Sequence, residues 1–263
     1  MLISTSPSQL SAGLRLWRTR RRVSQLELAV RAGTTQRHVS FIESGRSIPG
    51  REMVIRLAES LQLPLRDRNA LLLAGGYAPA YDETPYDGAG LGAVRTALTE
   101  ILEGHRPYPA VAVDRRGDLV LANRTFHVLT AGISDGLLSP PTNIPRLLLH
   151  PDGLAPRILN FPEWSWHVID ALTREAVQNP APESDALIEE LTGLIPPRPD
   201  LTPGHLGFAV PLHLRSAQGD LRLITTLTRF GTAVDVTLSE LRMEAFLPAD
   251  PSTAAALRRL DPV

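Results

Sequence analysis

The chain has 263 residues, 43% of them hydrophobic, no cysteine and a formal net charge of −1. That length suits one large domain or two modest ones, and the apolar fraction supports a packed core rather than wholesale disorder. Lack of cysteine excludes disulfides and thiolate metal sites, and no run approaches the roughly 18 apolar residues of a membrane-spanning helix.

No early segment joins a basic start to a long apolar run, so no secretory signal is expected and the chain reads as cytoplasmic. All 27 basic residues are arginine. They are unevenly spread: residues 1–70 carry 12 arginines against 5 acids, a balance of +7, and the remainder carries −8. A basic head on an acidic body fits a polyanion partner, and a merely solvated basic surface is the alternative.

In chain order, Ser8 to about Arg21 predicts an amphipathic helix with Leu10, Leu14 and Trp17 inside. Ser24 with Glu27 forms a capping box that opens a second helix, its buried side expected to hold Leu26, Leu28 and Ala29. Gly33 ends it at a left-handed position. Thr34 is expected to cap a third helix, with Val39 and Ile42 inward and Thr35, Gln36, Arg37 and Ser40 outward. Gly45 stops that helix before Arg46-Ser47-Ile48-Pro49. Further helices are predicted over Arg51–Leu61 and Arg66–Ala74.

Five helices around a helix-turn-helix result. Through Leu14, Arg18, Ser24-Gln25, Leu28-Ala29, Gly33-Thr34-Thr35-Gln36, Val39-Ser40, Ile42-Glu43-Ser44-Gly45-Arg46 and Pro49, residues 1–76 resemble the XRE-type, lambda-repressor-like DNA-binding domains. The resemblance implies base reading by Gln36, Arg37 and Ser40, with Thr35 on the same outer face. It also implies phosphate contact by Gln25, and an internal ion pair between Arg18 and Glu43. Gln and Arg are side chains that bind adenine and guanine edges bidentately. Arg46 and Arg51 flank the following loop and are expected on the DNA backbone or minor groove. Phe41 is open to two readings, contact with a thymine methyl or packing near Leu61.

Residues 77–105 read as a hinge and a linker helix. Asp82 to Gly92 is acidic and carries Pro85, Gly88 and Gly90, a semi-stiff spacer. Ala93–Glu103 is helical in pattern, for packing, dimerisation or signal relay. Tyr108 to Asn123 alternates as a β-hairpin, with Arg116-Gly117-Asp118 as its turn and Asn123 opening a helix through Phe126 and Leu129. Asn143–Leu194 is helical and broken by prolines. Strands are predicted at Gly207–Leu214, Asp220–Phe230 and Glu240–Leu247, with Ser216–Gly219 as a turn and a last helix at Ser252–Leu260. The whole is a multidomain chain: an all-α head, then an α+β domain over 106–250 with an antiparallel sheet and helices on one side, and a C-terminal helix in 251–263.

Gly76-Tyr77-Ala78-Pro79, Pro107-Tyr108-Pro109-Ala110, Asn143–Leu154 and Phe246-Leu247-Pro248-Ala249-Asp250 resemble the MmyB-like transcription regulators. Phe161 departs from that pattern, standing where tryptophan is common after Asn160. The resemblance implies a PAS-like domain that senses a small hydrophobic or amphipathic ligand, a fatty acid being one candidate. It implies a one-component regulator, and two such helix-turn-helix heads are expected to join as a homodimer on a roughly palindromic duplex. Phe126, Trp164 and Phe208 are candidate lining residues, with Phe161, Trp166, Ile169 and Phe230 beside them; residues of this kind are more often plain core. Arg146 is a candidate for an anionic head group, and His150 is either a turn residue or a ligand contact.

An enzyme is the rival reading. Gly132-Ile133-Ser134-Asp135-Gly136 matches a nucleophile elbow by letter, but that elbow must join a buried strand to a helix, and here a helix precedes it. The seven histidines form no HExxH pair. No cofactor, metal or catalytic residue is therefore assigned. A PAS-like module that only dimerises is the third possibility.

Overall fold

A computed structural model describes residues 7–180, 182–199 and 210–261. They form two compact units, one running through Thr84 and including Gly231–Ser239, the other holding Pro85–Phe230 and the chain from Glu240.

The first unit contains α1 (Pro7–Arg20), α2 (Gln25–Arg31), α3 (Gln36–Glu43), α4 (Arg51–Ser60) and α5 (Leu65–Ala74). Helices this short do not persist alone in water; their apolar faces meet in one core of Leu10, Leu14, Trp17, Leu28, Val39, Ile42, Leu57 and Leu72. Full burial of a side chain of this size contributes about 1.5–3 kcal/mol. Leu26 is not in that core: it is 57% exposed. Residues two apart on a helix point to nearly opposite sides, so Leu28 turns inward and Leu26 cannot follow. Thr35, one residue later than expected, caps α3 by accepting from the His38 N–H at 3.2 Å, while Thr34 Oγ1 lies 2.9 Å from His38 Nδ1.

Beyond α5 the chain is held closely. Tyr77 donates to the Pro49 carbonyl at 2.8 Å, and Asn69 bonds the backbone of Ala80 and Tyr81. The acidic stretch expected to be a spacer is fastened at its start. Asp82 accepts from Val236 N–H at 2.8 Å, and Thr84 N–H donates to Asp235 Oδ2 at 3.0 Å.

The second unit starts with α6 (Gly92–Gly104), β1 (Ala110–Val113), β2 (Leu119–Ala122), α7 (Arg124–Thr130), α8 (Asp135–Leu138) and α9 (Ile144–Leu149). There follow α10 (Phe161–Gln178), α11 (Pro182–Thr192), β3 (Leu212–Ser216) and β4 (Gly219–Arg229). The chain then passes through the short α12 (Val236–Glu240) to β5 (Arg242–Pro248) and α13 (Pro251–Leu260). The five strands make one antiparallel sheet in the order β2-β1-β5-β4-β3. β5 begins two residues later than predicted, because the Asp235 carboxylate accepts from Leu238 N–H and starts a helical turn. Predicted strand residues 207–209 lie outside the described residues.

Val111, Val113, Leu221, Leu223 and Phe246 face the main core with helices α7, α9, α10 and α13. Their neighbours Ala110, Ala112 and Ala245 alternate to the other face, where α6 packs over β1 and β2. A helix thus covers that second face at the β1–β2 end.

Three side-chain hubs order the unit. Asn123, fully buried, accepts from the N–H groups of Ala110 and Phe126 and donates to the carbonyls of Leu102 and Tyr108. Asp114 Oδ1 accepts from Arg116 and Asp118 N–H and closes the hairpin turn, in which Gly117 has φ +82°; burial nevertheless pushes its carboxyl up. Asp261, with a fully buried side chain, accepts two 2.7 Å bonds from Arg106 and one of 2.5 Å from Thr125.

Candidate functional site

Caps and glycines set the helix-turn-helix. Ser24 accepts from Glu27 N–H at 3.1 Å, Gly33 at φ +63° turns the chain between α2 and α3, and Gly45 at φ +73° ends α3. Val39 and Ile42 have no exposed surface, which fixes the rotation of α3 and leaves Gln36 and Arg37 exposed on its first turn. Neither side chain makes a hydrogen bond or ion pair to the described residues. Thr35, Arg46 and Arg51 are exposed as well, and Ser40 is half-buried.

The Arg18–Glu43 pair is present and bidentate, at 2.6 and 2.9 Å. Burial alone would raise the Glu43 carboxyl, but the hydrogen bonds from Arg18 and Gln25 outweigh it and hold it below the usual range. The structure therefore gives Gln25 an internal partner, Nε2 donating to Glu43 Oε2 at 2.8 Å, so this candidate phosphate contact is oriented from within. Phe41 is half-buried and is not one of the partly buried apolar side chains packed on the head's core. Its ring lies under Arg37 and Arg46, whose Cζ atoms are 5.1 and 5.9 Å from the centroid.

The candidate ligand residues are less unified. Phe126, Trp164 and Ile169 are buried in the one core, where Phe161 and Trp166 also pack. Trp166 Nε1 donates to the Pro196 carbonyl at 3.0 Å, whereas the buried Trp164 Nε1 has no hydrogen-bond partner among the described residues. Phe208 lies outside the described residues. Phe230 is half-buried. His150 sits in a turn, its Nδ1 accepting from Asp152 N–H at 3.0 Å. Arg146 is engaged: Glu190 receives both its bonds at 2.7 Å, which holds the Glu190 carboxyl down and the guanidinium up.

Arg157 carries no signal in the sequence. It donates to the carbonyls of Leu129 at 2.6 Å and Arg215 at 3.2 Å, has no carboxylate partner among the described residues, and burial lowers its pKa. No pattern of spacing marks such a residue; only the fold places it. An open cleft of 670 Å³ lies elsewhere, lined by Tyr86, Arg95, Thr96, Thr99, Glu100 and Leu121, and holds none of the candidate residues. Ser134 is exposed and precedes α8, with α7 rather than a strand before it. That context is not a nucleophile elbow. No helix among the described residues is long and apolar enough to cross a membrane.

Comparison with known proteins finds two family matches. The MmyB-like transcription regulator ligand binding domain matches residues 94–260, and a helix-turn-helix domain matches residues 14–67. No curated protein matches the chain. A solved structure, described as that of an RNA-binding light-oxygen-voltage receptor, aligns with 96% of this chain at 14% identity and a TM-score of 0.27. The chain spans 62% of that receptor's length.

Proposed function

The chain belongs to the MmyB-like transcription regulators, with a helix-turn-helix DNA-binding domain and a ligand-binding domain, and from this we propose how each domain works. α3 enters the major groove, where Gln36 and Arg37 read base edges with Ser40 beside them. Gln25, Thr35, Arg46 and Arg51 bind the phosphate backbone, and the Thr35 hydroxyl can donate outward while its oxygen caps the helix. Residues 1–76 are the reading head, 77–105 the connection, 106–250 the sensor and 251–263 its closing helix. Two chains act as a homodimer on half-sites about 34 Å apart in a roughly palindromic duplex. One observation carries this: α3, seated by the buried Val39 and Ile42, presents Gln36 and Arg37 exposed on its first turn, their side chains without a hydrogen-bond or ion-pair partner among the described residues.

The sensor takes a hydrophobic or amphipathic ligand, a fatty acid being one candidate. The buried Trp164 N–H, without a partner among the described residues, supports this, because an unmet buried donor is costly and a ligand acceptor would satisfy it. For an anionic head group Arg157 is the better candidate than Arg146, since Glu190 already neutralises the latter.

The test is selection of a preferred site from a random DNA pool by the full chain. Gln36→Ala or Arg37→Ala then costs about 1–3 kcal/mol on the selected site and relaxes preference at one base pair. Equal losses on selected and random DNA would refute base reading. Mass spectrometry of gently purified protein checks the sensor: a stoichiometric apolar ligand supports it, and none after exposure to long-chain fatty acids favours a dimerisation-only module.

A further inference from the structure

We propose that Phe41 is a positioning residue for DNA recognition, its ring holding Arg37 and Arg46 ready before the duplex arrives. The inference rests on the DNA reading above and adds a residue that reading does not use. Arg37 stands one helical turn before Phe41 on the same face of α3. Arg46, from the loop beyond α3, also lies over the ring. Past Gly45 the chain folds back, and the Phe41 carbonyl accepts from both Arg46 N–H at 2.8 Å and Ser47 N–H at 3.2 Å. One residue thus organises a base-reading arginine with its ring and the start of the backbone-contacting loop with its carbonyl.

The chemistry of the contact matters. A carboxylate would hold an arginine in place but would also neutralise it, and DNA would have to displace that carboxylate. An aromatic face attracts the guanidinium through its quadrupole and leaves the positive charge in place for phosphate or guanine. Neither the Arg37 nor the Arg46 guanidinium has a hydrogen-bond or carboxylate partner among the described residues, while the ring lies 5.1 and 5.9 Å away. Arginine loses much rotamer freedom when bound, and a side chain already ordered loses less.

The experiment uses the full chain and the DNA site it selects from a random pool. Phe41→Leu, which keeps apolar volume and removes the ring, should weaken that site about five- to tenfold. It should also blunt preference at the base pair that Arg37→Ala affects, with an unchanged thermal midpoint. Phe41→Tyr should recover affinity to within about twofold of the wild type. Phe41→Leu combined with Arg37→Ala should lose less than the product of the two single losses.

Independent, multiplying losses would instead mark direct contact of Phe41 with DNA and overturn the positioning role. So would a Phe41→Leu variant that binds like the wild type. In the DNA-free protein, NMR should show upfield ring-current shifts of Arg37 and Arg46 side-chain protons that vanish in Phe41→Leu. Their absence in the wild type overturns this proposal alone. Failure of the wild type to select any site overturns the DNA reading and this inference together.

Discussion

At the scale of single residues, the most consequential group is the set of Arg18, Gln25 and Glu43. It joins the first three helices through one carboxylate whose side chain is only 4% exposed. Removing one partner of such a pair leaves a buried charge unmet, so Arg18→Ala should cost about 3 kcal/mol in denaturant unfolding. Replacing both Arg18 and Glu43 by apolar residues should cost less. Because the Glu43 pKa is lowered on folding, its contribution is complete above the ordinary carboxylate value of about 4.3 and fades as pH falls through the lowered one. Arg18→Ala should therefore flatten stability against pH below that value. This pair was legible in the sequence only through the family resemblance. The Gln25 bond and the two arginines on Phe41 were not, since nothing in local spacing says which distant side chains will meet.

Among the elements, local rules carried most of the reading. Ser24, Asn123, Asn143 and Asp250 all accept from the N–H three residues on, the pattern that opens a helix. Thr35 does the same for α3, so Thr35→Ala should cost about 1 kcal/mol of head stability by thermal unfolding. The turn His150-Pro151-Asp152-Gly153 has a stricter demand. A Cβ at Gly153 would overlap the Leu147 carbonyl oxygen, and that oxygen accepts from Leu154 N–H at 2.8 Å. Gly153→Ala should destabilise the second unit by about 1–3 kcal/mol, read by near-ultraviolet circular dichroism of Trp164 and Trp166. Element ends were less legible. The placement of Leu26 and of the α3 cap differed because either threonine can cap in principle, and helix rotation decides which leucine is buried.

Over the whole molecule, charge and long-range ties dominate. The first 70 residues carry +7, so DNA affinity should fall steeply with salt, and Arg46→Ala should shallow that slope by about one unit. Within the second unit, Asp261 brings together Arg106, two residues beyond α6, and Thr125 from α7. The hydrogen bonds from Arg106, with that from Thr125, hold its carboxyl below the usual range. Its contribution is present above about pH 4 and lost as pH falls through the lowered value. Asp261→Asn should lower the unit's thermal midpoint at neutral pH and narrow the gap to the wild type in acid; an unchanged midpoint at pH 7 would show that the node is dispensable.

Sequence by itself determined what neighbours along the chain can decide: the five helices of the head, the glycine turn before α3, the hairpin at Gly117 and the antiparallel strands. Capping, left-handed glycines and periodic burial act over three or four residues and leave a visible pattern. Tertiary structure alone decided that Arg146 belongs to Glu190, that Arg157 stays without a carboxylate among the described residues, and that Phe41 lies under two arginines. It also decided that Asp235 grips the backbone at Thr84. Such pairings join groups far apart in the chain, 151 positions for Thr84 and Asp235 and 155 for Arg106 and Asp261, and their energies depend on packing that no short stretch encodes.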